Sequence, residues 1–126
     1  MKETFYTEQA PKAIGPYSQG VGASGKLLFV SGQIPVDPKT GVFAGDDIKT
    51  QTRQSILNLR AVLEAAGGGL ENVVKTTVFL QDMGDFAAMN EVYGAFFQKD
   101  CPARSAVAVA ALPRGARVEI EAVAVL

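Results

Sequence analysis

The C-terminal segment, from Val118 to Leu126, constrains the fold most, because its alternation predicts a strand with an unusually apolar second face. Neighbouring side chains of a strand point to opposite faces, so the two sets can be compared. One set consists of Val118, Ile120, Ala122, Ala124 and Leu126, and the other of Glu119, Glu121, Val123 and Val125. The second set is apolar in its later half, so both faces of this strand need a cover.

Two amphipathic helices are available as one cover. Apolar and small residues recur at steps of three and four between positions 47 and 66, with charged residues between them, which predicts a helix with one buried face. Asp46 or Asp47 can cap its first amides, and the glycines at 67–69 can end it. A second apolar stripe, which includes three phenylalanines and Tyr93, predicts another helix after Asp85.

The remaining regular segments read as strands. Short apolar runs at 21–24 and 27–31 are joined by Gly25-Lys26, a link that is typical of a β-hairpin. The β-branched run 73–80 predicts a strand, and residues 104–111 alternate up to the turn residues at 113–115. The predicted order is a β-hairpin followed by α-β-α-β-β.

These elements predict one α+β domain that spans residues 1–126, with two helices packed on one face of a mixed sheet. The helices leave the other face uncovered, although the last strand is partly apolar there. The preceding strand also offers a small, mostly apolar second face, made by Arg104, Ala106, Ala108 and Ala110. We expect other subunits to bury this uncovered face.

Composition excludes several classes of protein. Twelve Lys plus Arg balance thirteen Asp plus Glu, and no run concentrates like charges, which disfavours a nucleic-acid surface. The segment 1–6 lacks the apolar run of a signal peptide, and no window resembles a membrane span, so we expect a cytoplasmic protein. A lone cysteine, Cys101, fits a reducing compartment.

The chain has no histidine, which removes histidine-based triads and most zinc sites. Any catalysis then depends on Arg, Glu, Asp, Tyr, Ser, Cys, backbone groups and water. Nothing near Cys101 in sequence lowers a thiol pKa, so we interpret this residue as structural or incidental.

Arg104 is the leading candidate for an anion site. It follows Pro102 at the start of a predicted strand, where a guanidinium is presented at a sheet end and can grip a carboxylate through two parallel bonds. The alternative is an ordinary arginine, either at the surface or paired with Glu119 or Glu121.

Glu119 is the candidate for holding a water and relaying protons. If the turn at 113–115 closes a hairpin, Glu119 lies on the strand next to that of Arg104 and reaches the same end of the sheet. The alternative is a solvated glutamate that pairs with Arg114 or Arg117.

Other polar positions remain open between binding and structure. In Ser31-Gly32-Gln33 a glycine lets the backbone approach a ligand, although a simple strand-ending turn explains it equally. Tyr17 can donate a phenolic hydrogen bond or merely pack. Asn90 lies on the apolar side of the second helix and needs a partner, which can be ligand or protein.

The sequence as a whole resembles the Rid family, the reactive intermediate deaminases, from about Thr7 to the C-terminus. Each of the short sequence runs that carry this resemblance is a weak signal by itself, but their joint order along the chain is highly specific. The runs are Ala13-Ile14-Gly15-Pro16-Tyr17-Ser18-Gln19-Gly20, Ser31-Gly32-Gln33-Ile34-Pro35, Val74-Lys75-Thr76-Thr77-Val78-Phe79, Pro102-Ala103-Arg104-Ser105 and Val118-Glu119-Ile120-Glu121-Ala122.

The resemblance implies a chorismate-mutase-like α+β fold and a homotrimer with active sites between neighbouring subunits. It also implies hydrolysis of enamine and imine acids, such as 2-aminoacrylate and 2-iminobutanoate, to 2-keto acids and ammonia, as a 2-iminobutanoate/2-iminopropanoate deaminase does. Members of the family need no cofactor and no metal. The implied partners are therefore a small imino or keto acid and two further copies of this chain.

By position, the resemblance implies that Arg104 binds the substrate carboxylate and that Glu119 holds the hydrolytic water. The implied pocket positions are Tyr17, Ser31, Gly32, Asn90 and Ala106, with backbone groups from Gly32 and Ala106. Many relatives have a cysteine where this chain has Ala106, so a required thiol is excluded there. The link between Phe97 and Pro102 is also shorter than in many relatives, which affects the expected shape of the pocket.

Three other functions compete with the deaminase. A regulatory protein that binds 2-keto acids without turnover would need Arg104 but not Glu119. An RNA-cleaving translation inhibitor, a role attached to some relatives, is disfavoured by the near-neutral charge and the missing histidines. A chorismate mutase would share the fold, but a fold does not specify chemistry.

Overall fold

The computed structural model describes residues 2–126. It has two helices, α1 (Ile48–Ala65) and α2 (Phe86–Phe96). Its six strands are β1 (Lys2–Phe5), β2 (Gly20–Ala23), β3 (Leu27–Gln33), β4 (Val73–Leu80), β5 (Ala103–Ala108) and β6 (Val118–Val125). Both helices pack on one face of a mixed sheet, which confirms the predicted α+β class.

Helix α1 forms where the sequence pattern predicted it. The Asp47 carboxylate caps it by accepting the backbone N–H of Thr50 at 3.0 Å. Its inward face buries Ile56, Leu59 and Leu63 completely. The helix stops because Gly67, with φ of 90°, adopts the left-handed conformation that other residues avoid.

The main sheet has the strand order β3-β6-β4-β5. Strands β4 and β5 run parallel, whereas β6 is antiparallel to both of its neighbours. The core lies between this sheet and the helices, and its residues include Met89 and Tyr93 of α2 and Val78 and Ile120 of the sheet. None of the helices within residues 2–126 combines the length and apolarity of a membrane span.

The predicted N-terminal hairpin is wrong. Strand β2 pairs with β1, which the sequence did not reveal, and β3 pairs with β6 instead. Lys26 exchanges two backbone hydrogen bonds with Leu126, at 3.2 and 2.9 Å. Gly25 has φ of 138°, and a Cβ there would lie 2.9 Å from Val125 Cγ1. This glycine lets the C-terminal strand approach closely and does not close a hairpin.

The predicted pairing of the last two strands is also wrong, because β5 and β6 lie on opposite sides of β4. The connecting segment crosses the end of β4: the N–H of Val109 bonds to Leu80 O at 2.9 Å, and the N–H of Gln81 bonds to Arg117 O at 3.0 Å. The turn at Pro113–Gly115 therefore carries the chain across β4.

The second face of the main sheet is open and partly apolar. Leu27, Phe29 and Val107 on this face are 58%, 71% and 44% exposed. One expected detail needs correction: Arg104 lies opposite buried Thr76 in the parallel register, so Arg104 and Ala106 are on the helix side. That other subunits bury the open face stays a prediction.

Candidate active site

The loop that carries Tyr17 is fastened to the start of β5. The N–H of Ser18 donates to Pro102 O at 3.1 Å, and its Oγ donates to Cys101 O at 2.6 Å. The Tyr17 hydroxyl accepts the backbone N–H of Ile14 at 3.3 Å. These bonds hold the Tyr17 ring beside Arg104, the second residue of β5.

The Arg104 guanidinium is surrounded by three aromatic rings and one amide. Its Nη1 donates to Asn90 Oδ1 at 2.6 Å, which supplies the partner that Asn90 needs. Its Cζ lies 5.2 Å from the ring centroid of Tyr17, 5.6 Å from that of Phe86 and 4.9 Å from that of Tyr93. These distances fall within the range of cation–π attraction. We call these four residues around the guanidinium the Arg104 cage.

The cage contains a cation that has no acidic partner among residues 2–126. In the described part of the chain the two ion pairs join Lys49 to Glu91 and Arg117 to Asp85, so the alternative of an internal salt bridge for Arg104 is not realised. Partial burial lowers the pKa of Arg104 by desolvation, but a guanidinium remains charged at neutral pH. A partly dehydrated positive charge of this kind favours an incoming anion.

Two cage residues, Phe86 and Tyr93, were not recognised from the sequence. They belong to the apolar stripe of α2, where aromatic residues at helical spacing are typical of core packing. Tyr93 is fully buried, and its hydroxyl is 2.7 Å from Thr76 Oγ1. Burial raises the pKa of Tyr93 to about 12, so its phenol is neutral.

A second group of predicted site residues lies elsewhere. Gly32 sits at an irregularity in the pairing of β3 with β6, between Val30 and Gln33. A Cβ at position 32 would lie only 2.8 Å from Glu119 Cδ, so the glycine lets the carboxylate rest against the backbone. Ser31 is exposed nearby. Glu119 is next to buried Ile120 in β6, which directs its side chain to the open face.

The two groups do not meet within one chain, which corrects the expectation that Glu119 reaches the Arg104 end of the sheet. Arg104 lies opposite Thr76 of β4, whereas Glu119 lies opposite Phe79 of that strand. The two side chains are therefore on opposite faces with β4 between their strands. Tyr17, Asn90 and Ala106 belong with Arg104, and Ser31 and Gly32 belong with Glu119.

The alternative partners of Glu119 are engaged elsewhere. Arg117 contacts Asp85 at 3.6 Å, and Arg114 donates to Gly41 O at 3.2 Å. Ala106, opposite Val78, packs partly against the core on the face that carries Arg104.

Cys101 has the properties of a structural thiol. Its Sγ donates to Phe97 O at 3.2 Å, and partial burial raises its pKa by desolvation. No cluster of three metal-ligating side chains occurs within residues 2–126.

Comparison with known proteins gives consistent matches over nearly the whole chain. The family model described as Endoribonuclease L-PSP matches residues 7–126. A RutC family protein of Pyrococcus horikoshii is 57% identical over 124 residues, covering 98% of each chain. A 2-iminobutanoate/2-iminopropanoate deaminase of Salmonella typhimurium is 53% identical over 128 residues, covering 99% of this chain and 98% of the relative.

Solved structures agree with these matches. TdcF of Escherichia coli with bound serine is 46% identical, has a TM-score of 0.77 and covers 98% of each chain. RidA of Psychrobacter is 44% identical, has a TM-score of 0.78 and covers 98% of this chain and 99% of its own. The resemblance noted from the sequence motifs is confirmed: this chain belongs to the endoribonuclease L-PSP family of YjgF, RutC and Rid proteins.

Proposed function

We propose that this protein hydrolyses small 2-imino acids, and the 2-enamine acids that tautomerise to them, to 2-keto acids and ammonia. The observation that carries the proposal is the cationic Arg104 cage, which has no acidic partner in the described chain. Relatives at 52–53% identity are named 2-iminobutanoate/2-iminopropanoate deaminases, which supports this substrate class.

Arg104 binds the substrate carboxylate. Asn90 accepts from Nη1 and fixes the plane of the guanidinium, which leaves other N–H groups to donate to the two carboxylate oxygens. The rings of Tyr17, Phe86 and Tyr93 exclude water around the charge and strengthen this interaction. The Tyr17 hydroxyl oxygen accepts the Ile14 N–H, and this bond does not use the hydroxyl as a donor, so the O–H group can donate to the substrate.

The active site lies between subunits of a homotrimer in this proposal. One chain keeps Arg104 and Glu119 on opposite faces of its sheet, so one site can use both only if Glu119 comes from a second copy. The exposed apolar side chains of the open face support association of this kind. Ser31 and Gly32 of the partner subunit would then accompany Glu119.

The proposed reaction needs only water in addition to the substrate. A water held by Glu119 adds its oxygen to C2 of the imine, and Glu119 accepts a proton from it. The proton taken up by Glu119 passes to the imine nitrogen as the C=N bond becomes single, which gives a carbinolamine. Transfer of the carbinolamine hydroxyl proton to the amino group then lets the C–N bond break, so that ammonia leaves and a C=O bond forms. For 2-aminoacrylate, protonation at C3 and loss of a proton from nitrogen first give the imine.

The test follows ammonia and 2-oxobutanoate released from freshly generated 2-iminobutanoate. We expect Arg104→Ala to lose about a hundredfold in kcat/KM, which corresponds to about 3 kcal/mol of transition-state stabilisation. Glu119→Gln should lower kcat and leave binding of 2-oxobutanoate intact. Arg60→Ala and Glu64→Gln, at exposed positions of α1, are the matched controls. A wild-type rate equal to the spontaneous rate contradicts the proposal.

A second candidate is a protein that binds small carboxylates without turnover. The solved structure of TdcF contains bound serine, so a relative accommodates an amino acid. The same assay separates the two functions, because a binding protein would hold 2-oxobutanoate through Arg104 without accelerating imine hydrolysis.

RNA cleavage is the third candidate, because the matching family model is described as an endoribonuclease. The near-neutral net charge of −1 disfavours a nucleic-acid surface, and the chain has no histidine to act as the usual general base of such enzymes. Salt-sensitive RNA cleavage that survives Arg104→Ala would favour this function over the deaminase.

A further inference from the structure

We infer that Tyr93 is a positioning residue, and that its hydrogen bond to Thr76 sets where the Arg104 guanidinium meets the substrate carboxylate. This inference rests on the proposed function and deepens it, because it names the buried contact on which the geometry of the anion site depends.

Tyr93 makes the closest ring contact to the guanidinium. Its centroid lies 4.9 Å from Arg104 Cζ, compared with 5.2 Å for Tyr17 and 5.6 Å for Phe86. Unlike Tyr17, it is fully buried, and its ring also packs against Phe97 with centroids 4.5 Å apart. The Tyr93 ring is therefore the buried side of the cage and is held in place by the core.

The hydroxyl of Tyr93 ties α2 to the sheet at the level of Arg104. Its partner, Thr76, is the residue of β4 directly opposite Arg104 in the parallel register. Asn90 precedes Tyr93 by three residues, so both lie on the same side of α2. One bond of 2.7 Å thus fixes the helix that carries Asn90 and Tyr93 against the strand beside Arg104.

The bond is also well suited to persist. Thr76 is fully buried like Tyr93, so each hydroxyl is shielded from bulk solvent and has the other as its partner. The phenol remains neutral, because burial raises the pKa of Tyr93 to about 12. Tyr93 therefore does not neutralise the positive charge of Arg104. It affects only the position of the guanidinium.

A double-variant design separates positioning from stability. Tyr93→Phe keeps the ring but strands the Thr76 hydroxyl in the core, so the melting temperature should fall. Combining it with Thr76→Val removes both polar groups and should restore most of the stability. If the bond positions Arg104, the double variant should keep a KM for 2-iminobutanoate raised about tenfold, because a displaced guanidinium loses part of its paired contact with the carboxylate.

Two further variants act as controls. Thr76→Ser retains the hydroxyl and should retain a wild-type KM. Thr52→Val removes another fully buried threonine hydroxyl, which has no hydrogen-bond partner within the described residues, and should leave KM unchanged. The dissociation constant for 2-oxobutanoate, measured by calorimetry, should follow the KM values and supplies a readout that does not depend on turnover.

The inference is overturned if the double variant regains both its melting temperature and a wild-type KM and dissociation constant, since Tyr93 would then be structural only. Failure of the proposed function gives a different pattern, in which wild-type protein shows no hydrolysis. If wild-type protein also fails to bind 2-oxobutanoate, Arg104 is not an anion site and the positioning role falls with it.

Discussion

At the residue scale, the central fact is that a neutral amide holds Arg104. Asn90 Oδ1 accepts from Nη1 at 2.6 Å, so a neutral group orients the guanidinium, which has no counter-ion in the part of the chain that the structure describes. A carboxylate at the same position would orient it equally well but would compete with the substrate. Under the proposed function, the identity of residue 90 therefore decides whether Arg104 forms a structural salt bridge or binds the substrate anion.

Asn90→Asp tests this distinction with an almost isosteric change. The new carboxylate would pair with Arg104, so we expect the melting temperature to stay the same or rise, while KM for 2-iminobutanoate rises about tenfold or more. Steady-state kinetics and thermal unfolding measure the two effects. An unchanged KM would show that the substrate carboxylate does not bind at Arg104.

Part of this site is predictable from the sequence. Resemblance indicated Arg104, Tyr17 and Asn90, and the fold brings these three together. Phe86 and Tyr93 were not predicted as site residues, because aromatic residues in a helical stripe have the same pattern whether they fill a core or surround a charge. Only the three-dimensional position of Arg104 distinguishes the two.

At the scale of elements, local patterns were predictable and strand partners were not. Helix α1, helix α2 and strand β4 follow from periodicity and capping, which involve neighbouring residues. Both predicted hairpins were wrong, because the choice of a strand partner depends on distant segments. Lys26 bonds to Leu126 at the other end of the chain, and the chain after β5 crosses β4 before it forms β6. Short links with turn residues do not reveal this.

The N-cap of α1 gives a pH-dependent prediction. Hydrogen bonds from the Thr50 backbone N–H and side chain lower the pKa of Asp47 below its ordinary value of 3.8. A lowered folded-state pKa means that the stabilisation is complete above 3.8 and is lost as pH falls through the folded value. The difference in melting temperature between wild type and Asp47→Ala should therefore shrink as the pH falls from 3.8 through the folded-state pKa of Asp47.

Asp47→Asn is the matched control for this effect. Asparagine caps helices about as well as aspartate but does not titrate, so the Asp47→Asn variant should keep its advantage over Asp47→Ala at low pH. A difference between wild type and Asp47→Ala that is constant from neutral pH to below 3.8 would contradict the role assigned to the ionised cap.

At the scale of the whole molecule, the open face of the sheet carries the oligomer prediction. Phe29 on this face is 71% exposed, so Phe29→Glu should leave the folded chain intact while preventing association. Light scattering at micromolar concentration should give a trimer for wild type and a smaller species for Phe29→Glu, with loss of deaminase activity. Val42→Glu, at a loop position that is 56% exposed, should remain trimeric and active.

The proposed active site depends on one arrangement, in which Arg104 and Glu119 of neighbouring chains form a single site. Its most direct test is co-expression of Arg104→Ala and Glu119→Gln chains carrying different tags, followed by isolation of the mixed oligomers. In a cyclic trimer that contains both variants, about a third of the interfaces join an intact Arg104 to an intact Glu119, so about a third of wild-type activity should return. Mixed oligomers no more active than either parent variant would contradict the shared site.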